Sequence, residues 1–202
     1  MEKFKNYQII SIIFTFIFGT LLHFTYNLSD NNMLVAIFSS INESVWEHLK
    51  LLYFPMLFAT IIGYFYIGKN IKGFICSKTI GIISAMIFIV VFFYTYTGIL
   101  GKDIAVIDIS SFFIATLFGE YIAYILVKND FMCNSKIAVV LLISIFVCFA
   151  VFSFYTPKLG IFKEPNLNKK TLAALHAEPP TTLEGFRRRS STCIPLRTVL
   201  PE

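Results

Sequence analysis

The segment INESVWEHLK, residues 41–50, places Glu43, Glu47, His48 and Lys50 directly before an apolar run that begins at Leu51. Ionisable groups at the edge of such a run are costly to bury unpaired, so their chemistry comes first. On a helix Glu43 and Glu47, four residues apart, share a face, and Lys50 falls close to it. His48 is turned by about 100° from Glu47, so the two flank a groove. A histidine with two or three carboxylates at one level could hold a divalent cation, and imidazole and carboxylate together suit zinc, iron or manganese. The same carboxylates could pass protons. Sequence motifs narrow this little: HExxH, GxSxG, the P-loop and GxGxxG are all absent. Outside the C-terminal segment the histidines are His23 and His48, so a metal site must lean on carboxylates, which weakens zinc.

The elements that position these groups must be membrane helices. The 202-residue chain is 56% hydrophobic and only 14% charged, with a mean hydropathy of +0.73, more apolar surface than a soluble core of this length can hide. The net charge of +5 is scattered between apolar runs and forms no basic stripe with interleaved aromatics, which excludes nucleic acid as a partner and leaves membrane lipids. Five runs are long enough to span, roughly residues 7–26, 51–67, 74–100, 104–127 and 137–155. The first follows Lys3 and Lys5 without a small-residue cleavage site and reads as a retained helix. The fold class is therefore all-α, a polytopic membrane helix bundle of about five transmembrane helices. Lys3, Lys5, Lys69, Lys72, Lys78, Lys128 and Lys136 fall on one side of that bundle, against Lys50, Lys102, Lys158 and Lys163 on the other. This bias predicts an N-in, C-out orientation in the cytoplasmic membrane. Met33 to Ser40 is apolar but too short to cross, and reads as an interfacial or re-entrant piece. Ser40 and Glu43 match a capping box that would start the second helix near Ile41, and Pro55 should kink that helix.

With this topology His23, Glu43, Glu47, His48 and Asp108 converge near the outer end of three helices. At 1.5 Å per residue His23 is roughly 24 Å above Tyr7, and Asp108 lies only about 6 Å inside the start of its helix. These five are the candidate metal ligands, and Glu47, His48 and Asp108 the candidate catalytic residues. Each has a plainer reading. Glu43 could serve only as the capping-box carboxylate, Glu47 and Lys50 could be a surface pair, and His23 could sit in the headgroup layer. Trp46 reads as an interfacial anchor. Asp108 is hardest to dismiss, because the helix beyond it is apolar. Glu120, about 18 Å deeper than Asp108, is a candidate proton relay or a buried hydrogen-bonded acid.

The chain divides into a helix bundle, residues 1–167, and a tail, residues 168–202. All four arginines and four of the seven prolines fall in the tail, after a chain rich in Ile, Phe, Lys, Asn and Tyr. The contrast predicts a frameshifted or vector-derived tail, or a disordered extension. Cys76, Cys133, Cys148 and Cys193 show no CxxC or CxxH spacing and read as inert packing thiols.

The run SINESVWEHLKLLYFPML, residues 40–57, with LLHFTY before it, DIS at Asp108–Ser110 and FYTPKLGIFKEP after the last span, resembles a family of small clostridial and related Firmicute integral membrane proteins catalogued as a domain of unknown function. The resemblance covers about residues 1–165. It implies a polytopic membrane protein and marks His23, Asn42, Glu43, Trp46, Glu47, His48 and Asp108 as recurring polar positions, with no activity attached. The sequence thus leads to an outward-facing His/carboxylate site, binding a divalent metal ion and hydrolytic on a lipid-like substrate. A proton- or cation-coupled transporter or channel is the alternative, and a non-catalytic membrane sensor or assembly factor the third reading. Whether the chain is an enzyme stays open at this point.

Overall fold

The computed structural model describes residues 2–30 and 32–162. Expectations for the 168–202 tail and for Cys193 fall outside the described residues. The helices are α1 (Glu2–Leu28), the short α2 (Met33–Ala36), α3 (Val45–Tyr66), α4 (Phe74–Leu100), α5 (Ala105–Lys128) and α6 (Ser135–Phe154), with 3₁₀ turns at Gly68–Asn70 and Gly160–Phe162. Five of them, α1 and α3 to α6, are long and apolar enough to cross a membrane. They match the five apolar runs, and the fold is a polytopic helical bundle without strands among the described residues. Ile9, Ile13 and Ile17 of α1, Ile62 and Phe65 of α3, and Ile137 and Ile143 of α6 point outward and exposed, a surface suited to lipid.

The centre of the bundle is α3. Leu49 to Met56 are buried without interruption, and Phe54 meets Phe38 and Phe146 at ring separations of 4.9 and 5.7 Å. Tyr53, fully buried, donates from its hydroxyl to the Leu142 carbonyl of α6 at 2.6 Å, removing a polar orphan from the core. Pro55 lies inside α3, which runs unbroken from Val45 to Tyr66. Proline has no N–H to give to Leu51, so that carbonyl is freed. It lies against α1 at Gly19, where a Cβ would come within 2.7 Å of the Leu51 oxygen; only glycine admits this approach.

Small residues seat α4 against α5. A Cβ on Gly81 would come within 2.5 Å of the Gly119 carbonyl oxygen, and one on Gly119 within 2.6 Å of the Gly81 oxygen. Ala85 and Ala123 extend the same seam by a turn in each helix, the small-residue packing that membrane helices use where burial of apolar surface drives nothing.

Two sequence expectations change here. Lys50 and Lys78, counted among the loop lysines, are buried in the bundle at 0% and 1% exposure. One is lost from each side, so the excess at the N-terminal end keeps its sign. Cys76 and Cys133 are not packing thiols: they form a disulfide, with Cα atoms 5.9 Å apart across a sequence separation of 57. No local spacing motif can signal a pair joined only by the fold, here the first turn of α4 and the loop before α6. Cys148 is a free, exposed thiol.

Candidate metal centre

The site forms at the end of the bundle opposite Glu2, where α1 ends and α3 and α5 begin. Its key loop is 40–44. The second long helix starts at Val45, four residues later than the Ser40 capping box predicts. Ser44 is the N-cap, accepting from the Glu47 N–H at 3.4 Å, and the Glu47 carboxylate reaches back to the Ile41 N–H at 2.9 Å. The capping pair is thus Ser44 with Glu47, which the sequence also spells as S-x-x-E. The shift leaves Glu43 outside the helix, exposed and free of capping duty. Its loop is braced from within, as Asn42 accepts from the Ser44 N–H at 3.0 Å and Ser40 donates to the Asn42 carbonyl at 2.7 Å.

Glu43 points between two imidazoles. Its Oε1 lies 3.8 Å from His23 Nε2, and its Oε2 lies 3.4 Å from His48 Nε2. The two rings tilt toward each other with centroids 5.5 Å apart. One ligand atom from each of His23, Glu43 and His48 can be chosen so that all lie within 4.8 Å of one another. His48 Nδ1 donates to the Ser44 carbonyl at 3.0 Å. That bond puts the Nδ1 proton on the helix side and aims Nε2 into the site, the outer-shell arrangement that metal-binding histidines use. All three side chains remain partly open to solvent, at 29% for His23, 35% for His48 and 55% for Glu43.

Asp108, half-buried in the first turn of α5, is within electrostatic reach of His48 and Glu43. Tyr96 of α4 donates its hydroxyl to Asp108 Oδ1, and the Ile104 N–H donates to that same hydroxyl at 3.4 Å. Tyr96 therefore fixes the carboxylate across the α4–α5 turn, and only the folded chain brings the two together.

Glu47 does not join this group. It is 3% exposed and paired with Lys50 at 2.6 Å. Lys50 Nζ also donates to the Ala36 carbonyl at 2.8 Å and to Ser153 Oγ at 2.9 Å. All three ammonium donors have an acceptor, so one lysine ties α2, α3 and α6 beneath the Glu43 loop. The 33–40 segment is held on its other side by Ser39, which donates to the Leu22 carbonyl and accepts from Thr25 Oγ1 at 3.0 Å and the Tyr26 N–H at 3.1 Å. The segment thus begins as the one-turn helix α2 and continues as a loop whose Ala36 carbonyl and Ser39 hydroxyl are bonded by neighbouring helices.

Trp46 turns inward. Its ring packs on Phe149 at 4.7 Å and Phe162 at 4.8 Å, so it pins the end of α6 and the 160–162 turn and is no outward anchor. Glu120 sits at the far end of the bundle, 2% exposed. It is bound by Lys78, by Ser11 Oγ at 2.7 Å and by Gln8 Nε2 at 3.3 Å, while the Lys78 ammonium also lies 5.2 Å from the centre of the Tyr7 ring.

No curated protein and no solved structure matches the chain. A family model described as "Family of unknown function (DUF6512)" matches residues 1–171, which covers all the helices described above. The helical bundle and its His/Glu cluster accordingly belong to a member of the DUF6512 family.

Proposed function

We propose that this chain is a multi-pass protein of the cytoplasmic membrane, N-terminus inside, that holds a divalent transition-metal ion on His23, Glu43 and His48 and uses it in hydrolysis of a lipid-like substrate. The observation that carries this reading is the convergence of two imidazole Nε2 atoms on one carboxylate, with His48 already oriented by the Ser44 carbonyl. Two histidines and one carboxylate form a ligand set that leaves coordination positions for water and substrate, as catalytic zinc and non-haem iron sites do. A cation held there would lower the pKa of a bound water toward neutrality and so supply hydroxide at neutral pH. Asp108, held by Tyr96, is the proton-transfer group this reading assigns, supported by its electrostatic coupling to His48 and Glu43. The site's position at one end of apolar spans suits a substrate whose cleavable bond lies at the lipid–water boundary and whose chains stay in the bilayer.

Transport has weaker support. A relay from Asp108 to Glu120 needs a free acceptor at its inner end, whereas both Glu120 carboxylate oxygens already take protein donors.

The test is elemental analysis of the detergent-purified full chain beside His48→Ala, Glu43→Gln and Glu47→Gln. The expected result is about one zinc, iron or manganese per chain, lost in the first two variants and kept in the third. Metal absent from the wild type, or retained in all variants, overturns the site. If metal is bound but the loaded protein cleaves no lipid ester, amide or phosphodiester, the hydrolytic assignment fails and the metal site stands.

A further inference from the structure

The Cys76–Cys133 bond occupies the end of the molecule where a disulfide is least expected. That end carries exposed Lys69, Lys72, Lys128 and Lys136, and clustered lysines mark the cytoplasmic side of a membrane protein. Cytosolic thiols are kept reduced, and disulfides found there are usually transient or redox-sensing. The two sulfurs also have unlike surroundings. Cys76 is fully buried at 0% exposure, in the first turn of α4, where unpaired N–H groups favour negative charge. Cys133 is exposed, in the loop between α5 and α6.

We propose that Cys76 and Cys133 form a reversible thiol–disulfide site on the cytoplasmic face, whose substrate is a soluble protein dithiol of the thioredoxin class. A thiolate of that reductant attacks the accessible Cys133 sulfur. The Cys76–Cys133 bond breaks, and its electron pair leaves on Cys76 as a thiolate at the α4 N-terminus, where it is then protonated. The reductant's second thiol attacks the mixed disulfide, releasing Cys133 as a thiol and closing the reductant's own disulfide. Two electrons and two protons thereby pass to the membrane protein. Oxidation runs the same steps backward with the oxidised partner. Opening releases the α5–α6 loop from α4 two residues before Lys78, the lysine that holds Glu120, so the bond clasps the end of the bundle that this buried pair organises. This inference is independent of the metal site and rests on the N-terminus-inside orientation proposed above.

The experiment counts thiols in the full chain, which has four cysteines. Cells making the protein are quenched with acid and denatured, and free thiols are labelled with a polyethylene-glycol maleimide that shifts the band once per thiol. Untreated cells should give four labels, cells exposed briefly to diamide two, and washed cells four again. Cys133→Ser should give three labels in every state. Two labels in untreated cells would make the bond permanent and structural, overturning the proposal, as would opening of the bond in intact cells by a reductant that cannot cross the membrane. Four labels after diamide would show that the pair does not close, and would overturn it equally.

Discussion

Glu43 and Glu120 are both carboxylates brought among helices by the same fold, and they end in opposite situations. Glu120 is 2% exposed and engaged on both oxygens by an ammonium, a hydroxyl and an amide. Glu43 is 55% exposed, sits on a loop, and faces two imidazoles at 3.4 and 3.8 Å. Those distances exceed a good hydrogen bond, and a neutral imidazole whose lone pair faces a carboxylate gains nothing from it. The difference separates a carboxylate engaged on both oxygens from one with acceptor capacity left open. A buried acid with a donor on each oxygen holds helices together, whereas an exposed acid beside two imidazoles beyond hydrogen-bond distance keeps acceptor capacity that a cation or protons could use.

The comparison is broken most forcefully at the buried end. Lys78→Met leaves Glu120 charged and unpaired, and should cost about 3–5 kcal/mol. A strong fall in melting temperature in detergent, recovered in large part by Lys78→Met with Glu120→Met, would establish a purely structural pair; an unchanged melt would undo that reading. Next in size, Gly119→Ala drives a methyl into the Gly81 carbonyl and should cost about 1–3 kcal/mol by separating α4 from α5. Unfolding followed by tryptophan fluorescence would measure it.

At the open end the effects on stability should be small and those on the site large. Tyr96→Phe removes one hydrogen bond to Asp108, expected to cost about 1 kcal/mol. If Asp108 serves the site, the same variant should lower lipid hydrolysis while metal content stays at the wild-type level. Glu43→Gln should leave the melt within about 0.5 kcal/mol of wild type, as an exposed loop substitution does. It should nevertheless weaken metal binding by about tenfold or more, equivalent to about 1.4 kcal/mol in affinity measured by competition with a chromophoric chelator. A Glu43→Gln protein that is destabilised but binds metal normally would reverse the contrast between the two carboxylates.

Much of this was legible in the chain. Five apolar runs became five helices, because a run of about 20 apolar residues has no other stable fate than a helix in lipid. His23, Glu43, His48 and Asp108 could be placed at one end of the bundle by counting 1.5 Å per residue from each helix start. Spacing put Glu47 on one helix face with Glu43, but the helix starts only at Val45, which leaves Glu43 on a loop facing the histidines while Glu47 turns to Lys50. The helix start was misplaced by four residues. The sequence pattern pointed to Ser40 with Glu43 as the cap, and the structure instead uses Ser44 with Glu47, whose carboxylate reaches Ile41 from a buried position.

What the sequence alone determined, then, is the number of spans, their order, and the end at which each ionisable group lies, since these depend on hydrophobic length and rise per residue. Tertiary structure decided which groups meet. The Tyr96–Asp108 bond, the Lys50 tie from α3 to α2 and α6, and the Cys76–Cys133 bond all join residues 12 or more apart along the chain. Such contacts follow from how helices rotate and pack. That rotation is set at seams such as Gly81 against Gly119, where the closeness of two backbones depends on both helices at once.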